Sequence, residues 1–306
     1  MAQVTDSPPS VLVAGATGYI GNLLAHALRK DGHSVRCLVR DPAKAQDLAE
    51  AGCEIVGGDV LEPDTLAPVL EGIELAYYLV HSMGRGASSS DFAERDSAAA
   101  ENFGSAARKA GVERLVYLGG LGDESASEHL SSRHHTAEVL AESGIPLTYF
   151  RAAAVIGSGS ESFRVVFYLV KRLPVMVTPK WTTTKTQPIA VGDVVEYLQA
   201  AIETSESAGR EIQIGGAEVT TYGGMMDAMA AAMDRRPPLR ISVPVLSPKL
   251  SSLWIGLVTP VDVGVARPLI EGLATETVVT DRSGMKLFEV VPTPLDEAMR
   301  AALQEE

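Results

Sequence analysis

Three glycines spaced by three, Gly15, Gly18 and Gly21 in LVAGATGYIGNLLAHAL (residues 12–28), stand between a short apolar run and a run with helical periodicity. In a strand–loop–helix the first glycine permits a tight turn. The second lets backbone approach a pyrophosphate without a Cβ, and the third lets the helix pack close to its strand. The helix start then offers N–H groups and the positive end of its dipole to phosphate. The spacing is G-x-x-G-x-x-G rather than the common G-x-G-x-x-G, so the weight falls on context: the trio follows a first strand and opens a helix.

The rhythm downstream fits that context. Apolar, strand-like runs at 10–15, 34–39, 53–57, 74–80, 113–118 and 146–151 alternate with helical runs at 19–31, 42–50, 63–71, 89–110 and 127–143. Short continuous apolar strands separated by helices imply parallel β-α-β units with both sheet faces covered. Asp41-Pro42 reads as an N-cap with proline at the first helical position. Gly32, Gly52, Gly111 and Gly144 fall at or just past helix ends, where a left-handed residue is needed. MGRGASSS (83–90) reads as a flexible loop. After residue 151 the pattern loosens into a helix near 161–172 and a strand, turn and helix in TQPIAVGDVVEYLQAAI. A strand in REIQIGG and a helix at 221–234 follow, then a proline-punctuated, irregular and partly helical stretch at 237–268. The expected division is a disordered N-terminus (1–9), a dinucleotide-binding core (10–155), and the rest of the sheet with a small substrate or cap region (156–306).

Charge and cysteines narrow the function classes. With 39 acidic and 26 basic residues in 306, the net charge is −13, which disfavours general nucleic-acid or anionic-membrane binding. The two cysteines, Cys37 and Cys53, have no metal-ligand spacing and lie in apolar runs. They read as reduced core residues of a cytoplasmic protein, and no metal site is expected. MAQVTDSPPS lacks a secretory pattern. No apolar run reaches the roughly 18 residues that span a bilayer; the nearest, LSSLWIGLVTPVDVGVARPLI, is broken by Pro260, Asp262 and Arg267.

The end of the second strand, VRCLVRDPAK, is where a cofactor ribose is read. An acidic residue there holds the hydroxyls of NAD, a basic one the 2′-phosphate of NADP. Asp41 offers the first and competes as an N-cap; Arg40, with Lys44 one turn on, offers the second and favours NADP(H) over NAD(H). After the third strand, GGDV places Asp59 where a carboxylate can meet an adenine amino group and Val60 where an apolar side chain can meet its ring. The plain alternatives are a solvated strand-end charge at Arg40 and a turn or cap at Asp59.

With these residues placed, the chain resembles the atypical and extended short-chain dehydrogenase/reductases, in particular the NmrA-like regulators and the nucleotide-binding accessory subunit of respiratory complex I. GATGYIG, VRCLVRDPAK, GDVLEPDTL, GVERLVYLGGLG and PIAVGDVVEYL occur in the family's order. The resemblance implies a doubly wound Rossmann sheet of about seven parallel strands. It implies cofactor contacts at Thr17, Gly18, Tyr19 and Ile20, at Arg40, at Asp59 and Val60, and at Leu79, Val80 and His81. The family's active-site serine falls on Gly119 or Gly120, and its Tyr-x-x-x-Lys pair falls on His129 and Arg133.

Arg133 can still hold ribose hydroxyls. His129 can serve as a proton donor near neutral pH, with His81 as the rival donor at the nicotinamide end; a polar-face helix residue and a strand-end residue are the plain readings of the two. Tyr77, Tyr78, Tyr117 and Tyr149 read as core. Phe163, Phe167 and Val170 form one helical stripe, which with Trp181 and the apolar 253–258 segment reads as core, homodimer interface or apolar pocket wall. Arg151 is placed to point into that pocket or to cap a helix. The expected activity is NADP(H)-dependent reduction of a carbonyl, enone or imine of an apolar small molecule. A non-catalytic redox sensor or assembly protein, and an epimerase or isomerase with retained cofactor, are the alternatives.

Overall fold

Seven parallel strands form one sheet in the computed structural model, which describes residues 10–81, 89–123, 125, 127–242 and 272–305. The strands are β1 (Ser10–Ala14), β2 (Ser34–Val39), β3 (Glu54–Gly57), β4 (Leu75–Tyr78), β5 (Arg114–Gly120) and β6 (Leu147–Ala152), with β11 (Glu211–Ile214) at one edge. Between them run α1 (Tyr19–Lys30), α2 (Gln46–Glu50), α3 (Leu66–Leu70), α4 (Ser89–Ala110) and α5 (Glu128–Glu142). The spatial order is β11-β6-β5-β4-β1-β2-β3, all parallel. Chain order reverses between β1 and β4, and in open α/β sheets a crevice opens beyond the strand ends at such a point.

The two faces of the sheet bury different layers, because alternate residues of each strand point opposite ways. Val11, Val13, Cys37 and Val116 pack with Leu24 and Leu28 of α1 and with Val194 and Leu198 of α7 (Val191–Ala200). Leu12, Ala76, Tyr78 and Tyr117 pack with Leu66, Phe103 and Leu140 from α3, α4 and α5. Tyr77, Tyr78, Tyr117 and Tyr149 are all in the core. Cys37 and Cys53 are buried and free.

The second half adds three short two-stranded pairs. These are β7 (Val155–Ile156) with β10 (Ile189–Ala190), β8 (Val175–Thr178) with β13 (Leu239–Ser242), and β9 (Lys185–Thr186) with β12 (Thr220–Thr221). A third core joins Phe163, Phe167 and Val170 of α6 (Glu161–Arg172) to Met225 and Met229 of α8 (Tyr222–Ala232) and Met299 of α9 (Leu295–Gln304). Of the three readings of the 163/167/170 stripe, the structure therefore shows core.

Several expected boundaries shift for local reasons. The 42–50 run is a 3-10 turn at Pro42–Lys44 followed by α2, since the Asp41 carboxylate accepts the Ala43 N–H at 3.2 Å and tightens the start. The 63–71 run likewise splits into a 3-10 turn at Pro63–Thr65 and α3. Ser127 caps α5 rather than belonging to it, accepting the Leu130 N–H at 3.2 Å. Within 237–268, residues Leu239–Ser242 are strand, paired in register with Val175–Thr178. Residues 243–268, including 253–258, lie outside the described residues, as do 1–9 and 82–88. Among the described residues no helix is long and apolar enough to cross a membrane.

Candidate functional site

Gly15 ends β1 with φ +90°, a left-handed conformation. A Cβ there would lie 2.6 Å from the Leu79 carbonyl oxygen, so the glycine allows β1 and the end of β4 to meet. Gly21 packs against that turn, and a Cβ on it would collide with the Gly15 carbonyl. Gly18 is the N-cap of α1 with extended backbone and no side-chain cap. Its amide donates to Gly15 O at 3.0 Å, and the Asn22 amide is the first to return a helical bond, to Gly18 O at 2.8 Å. The amides of Tyr19, Ile20 and Gly21 thus have no acceptor within the helix. Surface, bare backbone and helix dipole coincide at Gly18 and Tyr19, a cradle that a side chain would fill and that fits a pyrophosphate. Thr17 is exposed beside it.

The residues expected to read the ribose and adenine stand at the next strand ends. Arg40 is exposed after β2 and makes no ion pair or side-chain hydrogen bond among the described residues. Asp41 caps the following turn, and its other oxygen lies 4.0 Å from Lys44 Nζ. Asp59 is a turn residue: Oδ1 accepts the Leu61 amide at 3.0 Å, while its backbone is tied to Thr65. Val60 is 7% exposed and packs into the core below, with its carbonyl held by Asn102 at 3.0 Å. The side chain expected against a ring is thus largely taken up by packing. Val80 also packs against the core, whereas Leu79 faces a cavity.

That cavity, about 400 Å³, opens where β1, β4, β5 and β6 end. The glycine loop, Tyr19 and Ile20 form one side, and Leu79, His81, His129 and Arg133 another. Ala152–Val155, Ser160, Glu161, Tyr222 and Thr277 close it. His81 Nδ1 lies 3.1 Å from Asp96 Oδ2 on α4, and Ser132 Oγ approaches the same oxygen at 3.5 Å. The His129 ring sits 5.0 Å from that of His81. The structure thus brings His81, His129 and Arg133 onto one wall of the cavity that the glycine loop borders.

Their states depart from the expectation. Burial, then the neighbouring His81 and Arg133, pull the His129 pKa down to about 3, so its ring is held neutral at pH 7. Burial also lowers that of His81, against the pull of Asp96. The Arg133 guanidinium donates to the Leu118 carbonyl and stacks 5.4 Å from the centre of the Tyr117 ring. Arg133→Ala is therefore expected to cost about 1–3 kcal/mol of stability by stranding that carbonyl, alongside weaker cofactor binding. Urea melts and NADPH titration of the variant check both effects.

The missing serine is explained by packing. A Cβ on Gly119 would lie 2.7 Å from Tyr149 Cε2, and one on Gly120 2.7 Å from Leu130 Cδ2. The Tyr149 ring fills the space a serine at 119 would need, while at 120 a single Leu130 methyl would have to turn aside. Arg151 neither enters the cavity nor caps a helix. It binds the carbonyls of Gly120 (3.3 Å) and Gly122 and pairs with Glu211 at 2.8 Å, bracing the turn after β5. Glu161, Tyr222 and Thr277, which line the cavity, and Asp96, which holds His81, escape a sequence reading, since no local motif marks them and only the tertiary fold brings them there. Among the described residues no group of three or more His, Cys, Asp or Glu is arranged to hold a metal.

Comparison with known proteins gives a consistent answer. The family model for NAD(P)H-binding proteins matches residues 15–167. The photosystem II assembly factor Ycf39 of Cyanophora paradoxa is 30% identical over 64% of this chain and 59% of its own length. Across the first three Ycf39 matches, the chain spans 59%, 62% and 64% of the relative's length. The 3β-hydroxysteroid dehydrogenase/Δ5→4-isomerase of Mycobacterium tuberculosis is 25% identical over 92% of this chain and 84% of its own. The NADP(H) complex of Citrobacter triphenylmethane reductase superposes with a TM-score of 0.72 at 19% identity, over 96% of this chain and 99% of that one, a likeness of fold. With its glycine cradle at the switch point of a seven-stranded parallel sheet, the chain belongs to the NAD(P)H-binding family of the atypical short-chain dehydrogenase/reductase type.

Proposed function

We propose that the chain is an NADP(H)-dependent oxidoreductase acting on an apolar small molecule. The observation that carries this reading is that the glycine cradle and a largely apolar cavity, bearing His81 on its wall, share one opening. When bound, the nicotinamide supplies or takes a hydride. The chain's own contributions are binding and exclusion of water. The amides at the start of α1 meet the pyrophosphate, Arg40 meets the 2′-phosphate, and the Leu79, Ala152–Val155 and Leu273 walls enclose the substrate. Relatives named for a hydroxysteroid and for triphenylmethane dyes support a substrate built on an apolar ring frame. The buried free thiols of Cys37 and Cys53 suit a reducing compartment such as the cytoplasm.

Arg40 decides the cofactor. A charge-assisted hydrogen bond to phosphate contributes about 1.5–3 kcal/mol, so Arg40→Ala is expected to weaken NADPH at least tenfold while NADH changes little. Titrations of both cofactors against both proteins test this. Tighter binding of NADH by the wild type would make Asp41 the reader and Arg40 a surface charge.

A second reading, nucleotide binding without turnover, is favoured by the filled serine position at Gly119 and by the likeness to Ycf39. Absorbance at 340 nm separates the two, with NADPH plus ring ketones and iminium dyes, and with NADP+ plus ring alcohols. Turnover of any of these supports the oxidoreductase. Tight binding with no turnover in either direction supports the second reading.

A further inference from the structure

We propose that His81, held in place by Asp96, is the base of this cavity, and that the ligand it serves carries a hydroxyl or N–H group on an apolar frame. The proposal rests on the oxidoreductase reading above and gives it a substrate class and a proton path that the missing tyrosine leaves open.

Geometry determines which nitrogen works. His81 follows β4 and lines the cavity. Its Nδ1 is 3.1 Å from a carboxylate oxygen of Asp96, a residue 5% exposed. A carboxylate only accepts hydrogen bonds, so Nδ1 carries the hydrogen and Nε2 keeps a lone pair. That Nε2 is buried and has no hydrogen-bond partner. An unmet acceptor in a buried place is costly, and a ligand that brings a donor removes the cost.

The groups facing His81 keep it in that state. They are Asp96 from α4 and His129 and Arg133 from α5. Burial and the Arg133 charge oppose protonation, Asp96 favours it, and burial is the larger influence.

A second lining residue makes the same demand. Glu161 gives one oxygen to Arg164 at 3.3 Å, and its other oxygen is buried without a partner. Three of the polar side chains around the cavity already give a hydrogen to the protein itself. Arg133 binds Leu118 O, Ser160 binds Val155 O at 2.8 Å, and Thr277 binds Thr186 at 2.8 Å. Two unmet acceptors on residues that line one cavity call for a ligand that donates.

The chemistry balances as an alcohol or amine oxidation. The O–H (or N–H) bond breaks and its proton passes to His81 Nε2, giving an imidazolium whose Nδ1–H stays on Asp96. The electron pair left behind closes the C=O (or C=N) bond as the carbon's hydride leaves to an oxidised nicotinamide. In reverse, the same imidazolium returns the proton. His81 is the group that touches substrate; Asp96 is a positioning residue, fixing the tautomer.

Nitrogen-15 NMR of the histidine rings in the full chain, free of cofactor, tests the tautomer. At pH 7 the wild-type His81 signal is expected to be neutral with its hydrogen on Nδ1, and Asp96→Asn to shift it toward the Nε2–H form. Saturation-transfer NMR with the matched probes 1-tetralol and 1-tetralone tests the ligand class. The alcohol is expected to bind roughly fivefold tighter, the worth of about one hydrogen bond. His81→Phe should abolish that preference and Asp96→Asn should reduce it, with NADPH affinity unchanged in Asp96→Asn. A wild-type His81 protonated on Nε2, a ketone bound as tightly as the alcohol, or neither probe bound would overturn the proposal. A parallel NADPH titration separates the two levels. Normal NADPH binding with no alcohol preference refutes the base alone, whereas absence of NADPH binding refutes the oxidoreductase reading beneath it.

Discussion

Gly18→Leu is expected to leave a folded protein that no longer binds NADPH. The backbone at Gly18 is extended, with φ −81° and ψ 164°, so any residue can adopt it. A Cβ would sit 3.2 Å from Gly15 O, a contact that small shifts can relieve. The rest of the leucine side chain would stand on the surface where the α1 amides face outward. Losing even two charge-assisted contacts to phosphate, at about 1.5–3 kcal/mol each, weakens binding by on the order of 100-fold or more. Circular dichroism confirms the fold, and fluorescence titration with NADPH reads the loss. Unchanged affinity in a folded variant would remove the pyrophosphate from this loop.

Acid should destabilise the protein through His129. Its pKa is held to about 3 in the folded chain, against about 6.5 in an unfolded one. Between those values the unfolded state binds the extra proton. The stability His129 contributes is thus fully present above about pH 6.5 and drains away as pH falls toward 3. By pH 4 the loss from this one residue is on the order of 2–3 kcal/mol. Carboxylates titrate over the same range in every variant, so the informative quantity is the difference between wild type and His129→Leu. Urea midpoints at pH 7, 5 and 4 should fall less steeply in the variant. Parallel slopes would mean that the ring is protonated in the folded protein.

The first 150 residues could be read from sequence because their signals are local. Continuous apolar runs gave the strands, and glycines such as Gly32, Gly52, Gly111 and Gly144, all at positive φ, marked the helix ends. The glycine turn could be read for the same reason: Gly15 and Gly21 have spacing-dependent tasks that the structure shows as a left-handed turn and a close backbone contact, and Gly18 opens α1 between them. The second half was harder. The paired strands Val175–Thr178 and Leu239–Ser242 lie more than sixty residues apart and are only four residues each, too short for either run to declare itself.

The candidate site was legible in part. His81, His129 and Arg133 could be named, but their environment could not. Asp96 sits in a helix whose polar residues look like a solvated face, and only the packing of α4 beside the β4 end turns it toward His81. Arg133 looks like a free charge in sequence and is tied to Leu118 and Tyr117 in the structure. The neutrality of His129 follows from burial, which a helix of alternating polar residues does not announce.

A crystal of the protein grown or soaked with NADPH tests the central claim directly. The expected density places pyrophosphate oxygens within hydrogen-bond distance of the Tyr19 and Ile20 amides, the 2′-phosphate beside Arg40, and the nicotinamide at the cavity that His81 lines. Nucleotide bound elsewhere on the sheet, or none at saturating NADPH, would contradict it.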